Sequence, residues 1–321
     1  MNVSYIQPLR LSLERMARML FRPARGGLWF TLGFAAFLSE YLSWGLGRGG
    51  FGGRMRGPRT SDVMGTDVLE KIVDFFRNPI ITAVVIWIVI CAVIAYVLIA
   101  WISSRGRFIF LDNVARERAA IVEPWHRLAR LGNSLFLWRM IVSALVLMIV
   151  GAIAAPFLAA IAAMLHAHSF RPSDLLVLLP LPLMLLPVAI VAGYVHLWRT
   201  SFVEVIMYRD DVGVLTAWKR FLALFVNRPL PFLLYGVYAL MLLVVSITVV
   251  FAFGICTLGI GFVLLVIPYV GSVVLLPLEV TFRALGPEFF AQFGPEYAVL
   301  HPPVASMAPV AATPTSAPTT G

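Results

Sequence analysis

Charged residues are scarce in this chain of 321 residues: 13% are Asp, Glu, Lys or Arg, 60% are hydrophobic, and the mean hydropathy is +0.91. A chain with this balance cannot hide its apolar side chains in a single soluble core. The composition therefore excludes an ordinary soluble globular protein, and we expect the lipid bilayer to be its main solvent.

Cysteine and catalytic motifs are also scarce. Cys91 and Cys256 lie in or beside apolar segments and are too few for a disulfide framework or a metal cage. His166 and His168 are separated by one alanine, but zinc sites need three or four ligands and only Asp174 lies nearby. The sequence has no G-x-S-x-G turn, phosphate loop or H-E-x-x-H pair. We therefore predict no metal, no cofactor and no enzymatic activity.

Long apolar runs are abundant. About 20 apolar residues carry a helix across the roughly 30 Å hydrocarbon layer. We predict an all-α, polytopic membrane protein with one membrane domain, 1–298, and a disordered Pro-, Ala- and Thr-rich tail, 299–321. The first of the spans is the weakest because it contains Glu40. The six predicted spans are 28–46, 80–102, 141–165, 175–198, 230–253 and 262–282.

Basic residues mark one side of these spans. Segments 1–27, 103–134 and 199–229 are rich in arginine, and six crossings place all three on the same side. Because Lys and Arg resist translocation, we predict that this side is cytoplasmic and that both termini lie there. The loop 47–79 is also basic and is predicted to lie outside, on the side that is poorer in positive charge overall.

Two of the basic segments resemble each other at an offset of 93 residues. Aligning 115–131 with 208–224 matches Trp125 with Trp218 and Arg127 with Arg220. Both segments have the periodicity of a basic amphipathic helix, which we expect to lie flat in the headgroup layer. In the second segment the apolar stripe is predicted to comprise Val214, Trp218, Phe221, Leu222 and Phe225.

The N-terminal segment is a weaker third copy of this pattern. Leu9, Leu13, Met16 and Leu20 recur at helical spacing. Since two spans follow each copy, the sequence predicts three parallel repeats. The alternative is convergence, because basic amphipathic helices beside membrane spans are common.

Polar groups inside predicted spans are the first functional suspects. Arg139 lies about one turn inside the third span, where its long side chain can reach the interface or, alternatively, a substrate. His196 lies near a span end. Glu279 is four residues before Arg283, a spacing that predicts an ion pair within one helix. Prolines within the spans, such as Pro156, Pro187 and Pro268, predict bends.

Three runs carry a resemblance to a known group of proteins. They begin SSRGRFIFLDNVARER, SFVEVIMYRDDVGVLTAWKR and IPYVGSVVLLPLEVTFRALGPEFF. The chain resembles an uncharacterised family of bacterial (planctomycete-type) multi-pass membrane proteins. In plan it is similar to the glycerophosphoryl diester phosphodiesterase membrane domain, a non-catalytic module. The resemblance implies a helical membrane fold and no specific activity.

The sequence thus predicts a bacterial inner-membrane protein that engages lipid or a protein partner without catalysis. The alternative is a transporter that moves a lipid or amphiphile through a groove between repeats. We expect anionic membrane lipids as partners and no nucleic acid. The residues predicted to hold headgroups or an acidic partner are Arg105, Arg107, Arg116, Trp125, Arg127, Trp218, Lys219 and Arg220.

Overall fold

The structure is a computed structural model that describes residues 3–21, 26–41, 78–166, 176–177 and 179–300, and this part of the chain contains helices and no strand. The α-helices are α1 Ile6–Phe21, α2 Gly26–Ala36, α3 Pro79–Ala115, α4 Val122–Arg127, α5 Ala129–His166, α6 Pro180–Trp198, α7 Glu204–Asp210, α8 Val214–Asn227, α9 Pro229–Cys256, α10 Ile260–Val266 and α11 Pro268–Phe290. Two π-helical turns, Phe37–Tyr41 and Arg199–Val203, extend α2 and join α6 to α7.

Five helical segments are long and apolar enough to cross a membrane, which confirms the polytopic helical class. The predicted spans 80–102, 141–165 and 230–253 lie within α3, α5 and α9, and the fourth, 175–198, becomes α-helical at Pro180. The five segments are Pro79–Ala115, Ala129–Ala163, Pro180–Asp210, Pro229–Cys256 and Tyr269–Phe293.

Several of the predicted segments lie partly or wholly outside the described residues. Of the first predicted span, 28–46, the structure describes the part up to Tyr41, which is a shorter apolar helix. The predicted outer loop up to residue 77 and the 167–175 turn, which contains the second histidine of the pair, lie outside those residues, whereas the first histidine of the pair is the last residue of α5. Of the predicted tail, Val299 and Leu300 pack against the helices, and the remainder lies outside.

The predicted span 262–282 is wrong as one continuous helix. α10 ends at Val266, and Ile267 adopts an extended conformation with φ −73° and ψ 116° before α11 begins at Pro268. Proline disfavours the helical conformation in the residue before it and has no amide proton to continue the ladder. The segment that can cross a membrane is Tyr269–Phe293 instead, and half of its most apolar window is buried.

Buried residues are concentrated at one end of the long helices. The first part of α3 is exposed, whereas nearly every residue from Ser103 to Val114 is buried. α6 has no buried residue, but Arg199 and most residues that follow it to Met207 are buried. Because successive helices alternate in direction, the buried C-terminal ends of α3, α7 and α11 meet the buried N-terminal ends of α5 and α9. We call this region the packed body.

The apolar halves of the helices outside the packed body expose almost all of their surface. In α3, α5, α6 and α9, the most apolar 18-residue windows are at most 6% buried. Exposed aliphatic side chains at this density are stable in hydrocarbon and costly in water. The fold therefore combines a packed body with a set of lipid-compatible helices that emerge from it.

Two glycines allow the helices of the packed body to approach closely. A Cβ atom added to Gly106 of α3 would lie 2.8 Å from the backbone carbonyl carbon of Leu38. A Cβ atom added to Gly286 of α11 would lie 2.6 Å from the carbonyl oxygen of Ser201. Because the opposing atoms are backbone, a change of side-chain rotamer cannot relieve either clash. Both glycines therefore position the charged residues that neighbour them.

The basic amphipathic helix predicted around Trp218 is α8, but its buried face differs from the predicted stripe. Val214 and Phe221 are buried, together with Ala217, while Leu222 is 44% exposed. Trp218 is half-buried and stacks on Trp138 of α5 with ring centroids 5.5 Å apart. The first copy of the pattern is shorter, since α4 covers only Val122–Arg127 before α5 begins.

The apolar stripe predicted for the N-terminal helix is only partly buried in the protein, since Leu13 is 43% exposed. α1 instead buries Ser12 and Arg15 along with Met19 and Leu20. Arg15 contacts carboxylates on two other segments, so charge pairing, and not apolar periodicity alone, sets the rotation of this helix. Counting hydrophobic residues could not reveal that an arginine faces the core.

Candidate functional site: a buried charge network

Three helical segments of the packed body carry an arginine followed five residues later by a carboxylate. All six side chains are buried. Burial of an unpaired charge is strongly unfavourable, so each of these groups requires partners. The three pairs are Arg107 and Asp112 in α3, Arg199 and Glu204 at the π turn before α7, and Arg283 and Glu288 in α11.

Glu204 lies at the centre of this network. Its carboxylate oxygen Oε1 accepts from Arg199 Nη1 at 2.8 Å and from Arg107 Nη1 at 3.4 Å. Its Oε2 accepts from Arg283 Nη1 at 2.7 Å. The guanidinium of Arg283 also donates to the backbone carbonyl of Arg107 at 2.8 Å. One fully buried carboxylate therefore joins three helices through arginines that are at most 7% exposed.

The π turn explains how Arg199 reaches Glu204. On a regular α-helix, residues five apart point in different directions, whereas residues three or four apart are neighbours. In the turn Arg199–Val203, the amide of Glu204 donates to the carbonyl of Arg199, so residues five apart stack on one face. Arg107 and Asp112 lie on a regular helix with the same spacing, and they bind different partners.

Asp112 forms a second centre, closer to the surface of the packed body. Tyr208 donates to its Oδ1 at 2.6 Å, and Arg116 Nε lies 3.0 Å from the same oxygen. Arg118 Nη2 lies 2.8 Å from Oδ2, and Arg127 also donates to Oδ1. We call Asp112, Arg116, Arg118 and Arg127 the arginine clasp. It joins α3, the turn after it and α4.

A third contact ties the N-terminal helix into the network. Arg15 of α1 donates to Glu117 Oε1 at 2.9 Å and to the carbonyl of Leu300 at 2.8 Å. Its Nε lies 3.7 Å from Glu288 Oε1 of α11. The segments 1–27, 103–134 and 199–229 therefore all reach the same packed body.

Seven of the eight predicted headgroup-binding residues separate into three groups. Arg116 and Arg127 meet in the clasp. Arg105 lies against two tryptophan rings, with its guanidinium carbon 4.4 Å from the Trp101 centroid and 5.1 Å from that of Trp125. Trp218, Lys219 and Arg220 lie on α8. Trp218 is half-buried, Lys219 and Arg220 are exposed, and Arg220 pairs with Asp210.

The prediction that Arg107 holds a lipid headgroup is wrong, because its side chain is fully buried against Glu204. The pair predicted between Glu279 and Arg283 stays a prediction, while Arg283 donates across the helix interface to Glu204. In both cases a carboxylate from a distant part of the sequence offers a buried ion pair that local spacing does not reveal.

The other suspected intramembrane groups are bound at the edge of the network. Arg139 Nη1 donates to Ser104 Oγ at 2.9 Å and to Ser103 Oγ at 3.3 Å. His196 Nδ1 lies 3.2 Å from Arg199 Nη2. Both positions are near the point where the apolar halves of the helices enter the packed body.

The described residues contain no group of three or more His, Cys, Asp or Glu side chains that could hold a metal ion. Residues 4–311 match the family described as a family of unknown function, DUF7544. The chain belongs to the DUF7544 family. No curated protein and no solved structure matches it.

Sequence reasoning missed the centres of the network in this DUF7544 chain. Glu204 and Asp112 were not among the predicted site residues, although they hold several of those that were. The signal that could have found them is the spacing R-x-x-x-x-[D/E], which occurs at Arg107, Arg199 and Arg283 in mostly apolar helices. At an offset of 93 residues the surface residues Arg127 and Arg220 are aligned, whereas the buried residues Arg107 and Arg199 are not.

Proposed function

We propose that this chain is a non-catalytic module of the bacterial inner membrane that engages anionic lipid at the cytoplasmic surface. In this proposal the packed body and both termini face the cytoplasm, and the apolar helices cross the bilayer. The general plan resembles the glycerophosphoryl diester phosphodiesterase membrane domain, which supports a module without catalysis. The observation that carries the lipid proposal is the surface of α8.

The surface of α8 is divided into three sectors. One sector, with Val214, Ala217 and Phe221, is buried in the packed body. The next sector consists of Leu215, Leu222 and Val226, which lie seven and four residues apart and are 68%, 44% and 74% exposed. The last sector is polar and includes exposed Lys219 and Arg220, with exposed Arg228 just beyond the end of the helix.

This division is the one expected of a helix that lies in the membrane interface. An exposed apolar sector inserts among acyl chains, while the polar sector next to it remains with headgroups and water. Leu230, at the start of α9, is also exposed, and α9 is a helix that can cross the membrane. Lys219 and Arg228 supply positive charge that favours anionic lipid, at about 1 kcal/mol for each basic residue near the surface.

We also propose that the chain consists of three parallel repeats. The buried arginine-carboxylate pairs in the second and third basic segments, which begin at Arg107 and Arg199, support this, as does the similar way in which α3 and α7 end. Glu117 and Asp211, two non-glycine residues, follow these helices with φ of 49° and 50°. A left-handed residue at the end of a helix is usually glycine, so an acidic residue in both positions is a specific similarity.

The transporter alternative requires a polar path to Arg139 or His196. Arg139 instead contacts two serines of α3, and His196 contacts an arginine of the buried network. These contacts favour the module.

A fluorophore attached at residue 222 is expected to lie in the acyl region of the bilayer, because Leu222 is in the exposed apolar sector. The test uses Leu222→Cys in full-length protein in which Cys91 and Cys256 are replaced by alanine, reconstituted into vesicles. We expect strong quenching by lipids that carry a quencher on the acyl chain and weak quenching by aqueous iodide.

Ala223→Cys is the matched control, since residue 223 is also exposed but lies in the polar sector. Its label is expected to show the opposite pattern. Equal access of iodide to both labels would contradict the interfacial position of α8 and with it the proposed lipid engagement.

A further inference from the structure

The arginine clasp carries more positive charge than the carboxylates in contact with it neutralise. Three guanidinium groups converge on one buried carboxylate, and Glu123 is the second carboxylate that they contact. Tyr208 adds a neutral donor to the same oxygen of Asp112. The clasp and Glu123 together therefore keep one net positive charge at the surface of the packed body.

The outer donors of the clasp are available to a ligand. Arg116 contacts Asp112 and Tyr208 through Nε alone, and its Nη nitrogens make no hydrogen bond within the described residues. Its side chain is 45% exposed and that of Arg127 is 36% exposed. Since both arginines bind the same oxygen of Asp112, their remaining N–H groups are held near each other. Buried Asp112 thus fixes a pair of guanidinium groups that would otherwise be mobile.

We propose that the outer face of the clasp, formed by Arg116 and Arg127, binds a phosphate group. Paired guanidinium groups match the geometry and charge of phosphate, which accepts several charge-assisted hydrogen bonds at once. Asp112 lies ten residues past Ile102, about 15 Å along a helix, whereas each headgroup layer is only about 5–8 Å thick. Free phosphate is therefore the expected source, and the phosphate of a lipid headgroup is the second source that the test distinguishes. The lipid source rests on the proposed function, but the phosphate site itself does not.

Glu123 competes with this ligand. Its two oxygens accept from Arg118 at 2.8 and 3.2 Å, and Arg127 Nη1 lies 3.9 Å away. The hydrogen bond from Arg118 lowers the pKa of the Glu123 carboxyl below its ordinary value, so the group is negative at neutral pH. Removal of this charge should therefore strengthen phosphate binding, whereas loss of either outer arginine should weaken it.

The test is titration of purified full-length protein in neutral detergent with inorganic phosphate, using calorimetry and the thermal shift that a bound ligand produces. Glu123→Gln is expected to lower Kd, and Arg116→Gln or Arg127→Gln to raise it, each by about tenfold, which corresponds to about 1.4 kcal/mol. Arg10→Gln is the matched control, because it removes one exposed positive charge from α1, where Arg10 pairs with Glu14 and not with the clasp, and it should leave Kd unchanged.

A second titration uses short-chain phosphatidylglycerol in place of inorganic phosphate. Binding of either probe that follows the order Glu123→Gln, then wild type, then Arg116→Gln supports the clasp and identifies the source of the phosphate. Equal binding by all variants, or no binding of either probe to wild type and Glu123→Gln, overturns it. Because Glu123→Gln is expected to bind phosphate more tightly than wild type, the clasp can still be tested if an arginine variant folds poorly.

These outcomes are separate from those of the α8 experiment. If the clasp does not bind phosphate, the expected depth of residue 222 in the bilayer is unaffected. A water-exposed residue 222 leaves phosphate binding by the clasp unaffected, and the bound phosphate would then be free and not part of a lipid headgroup.

Discussion

Glu204→Gln is expected to lower the free energy of unfolding by about 3–5 kcal/mol, the cost of removing one partner from a buried ion pair. The substitution preserves the shape of the side chain and removes the negative charge that Arg107, Arg199 and Arg283 share. The arginines remain buried and charged, because guanidinium does not lose its proton in proteins. Reversible unfolding in mixed micelles, followed by tryptophan fluorescence, measures the change.

The control for this experiment is Glu14→Gln. Glu14 pairs with Arg10 on the exposed face of α1, where screening by water makes an ion pair nearly neutral in stability. Arg283→Met and the double variant complete a cycle, and the double variant should be more stable than the sum of the single effects predicts. Equal unfolding of wild type and Glu204→Gln would contradict the role of Glu204 as the centre of the network.

Phe202→Ala is expected to lower the free energy of unfolding by about 3–5 kcal/mol, the usual range for removal of a buried aromatic ring. Phe202 is fully buried beside the charge network. Its ring centroid lies 5.4 Å from that of Phe221 in α8, 5.2 Å from that of Phe232 in α9 and 5.5 Å from that of Phe290 in α11. The ring therefore joins three helices, and the cavity left by alanine has little freedom to collapse.

Phe30→Ala is the matched control, since Phe30 is 60% exposed on α2. Removal of an exposed ring leaves no cavity in the packed body, so this substitution should lower the free energy of unfolding much less than Phe202→Ala does. If both substitutions had the same effect on unfolding in mixed micelles, the packed body would not be the stable core of this protein.

The class of the fold could be predicted because it depends on the amount and length of apolar sequence. The runs that became α3, α5, α6 and α9 are long and uninterrupted by charge. Pro268 was recognised as a point of bending, but whether a proline bends or ends a helix depends on what surrounds it. Here Ile267 is extended, and the span begins seven residues later than predicted.

The centres of the charge network could not be predicted by the same reasoning. Hydrophobic periodicity assigns arginine to water or headgroups, whereas Arg107 and Arg15 face the interior. Their partners, Glu204 and Glu288, lie far away in the sequence, and the π turn that aims Arg199 at Glu204 has no known signature in one sequence. Arg116 and Arg127 of the clasp were predicted, but Arg118 and the carboxylate of Asp112 that joins these arginines were not.

The proposed function depends on one arrangement, in which the three basic segments meet in a packed body on the cytoplasmic face of the membrane. The direct measurement is labelling of single cysteines at positions 10, 126 and 219 with a membrane-impermeant maleimide, in protein without Cys91 and Cys256. We expect all three to be unlabelled in intact spheroplasts and labelled after the membrane is opened. Labelling of any one of these positions in intact spheroplasts would contradict the cytoplasmic position of the packed body.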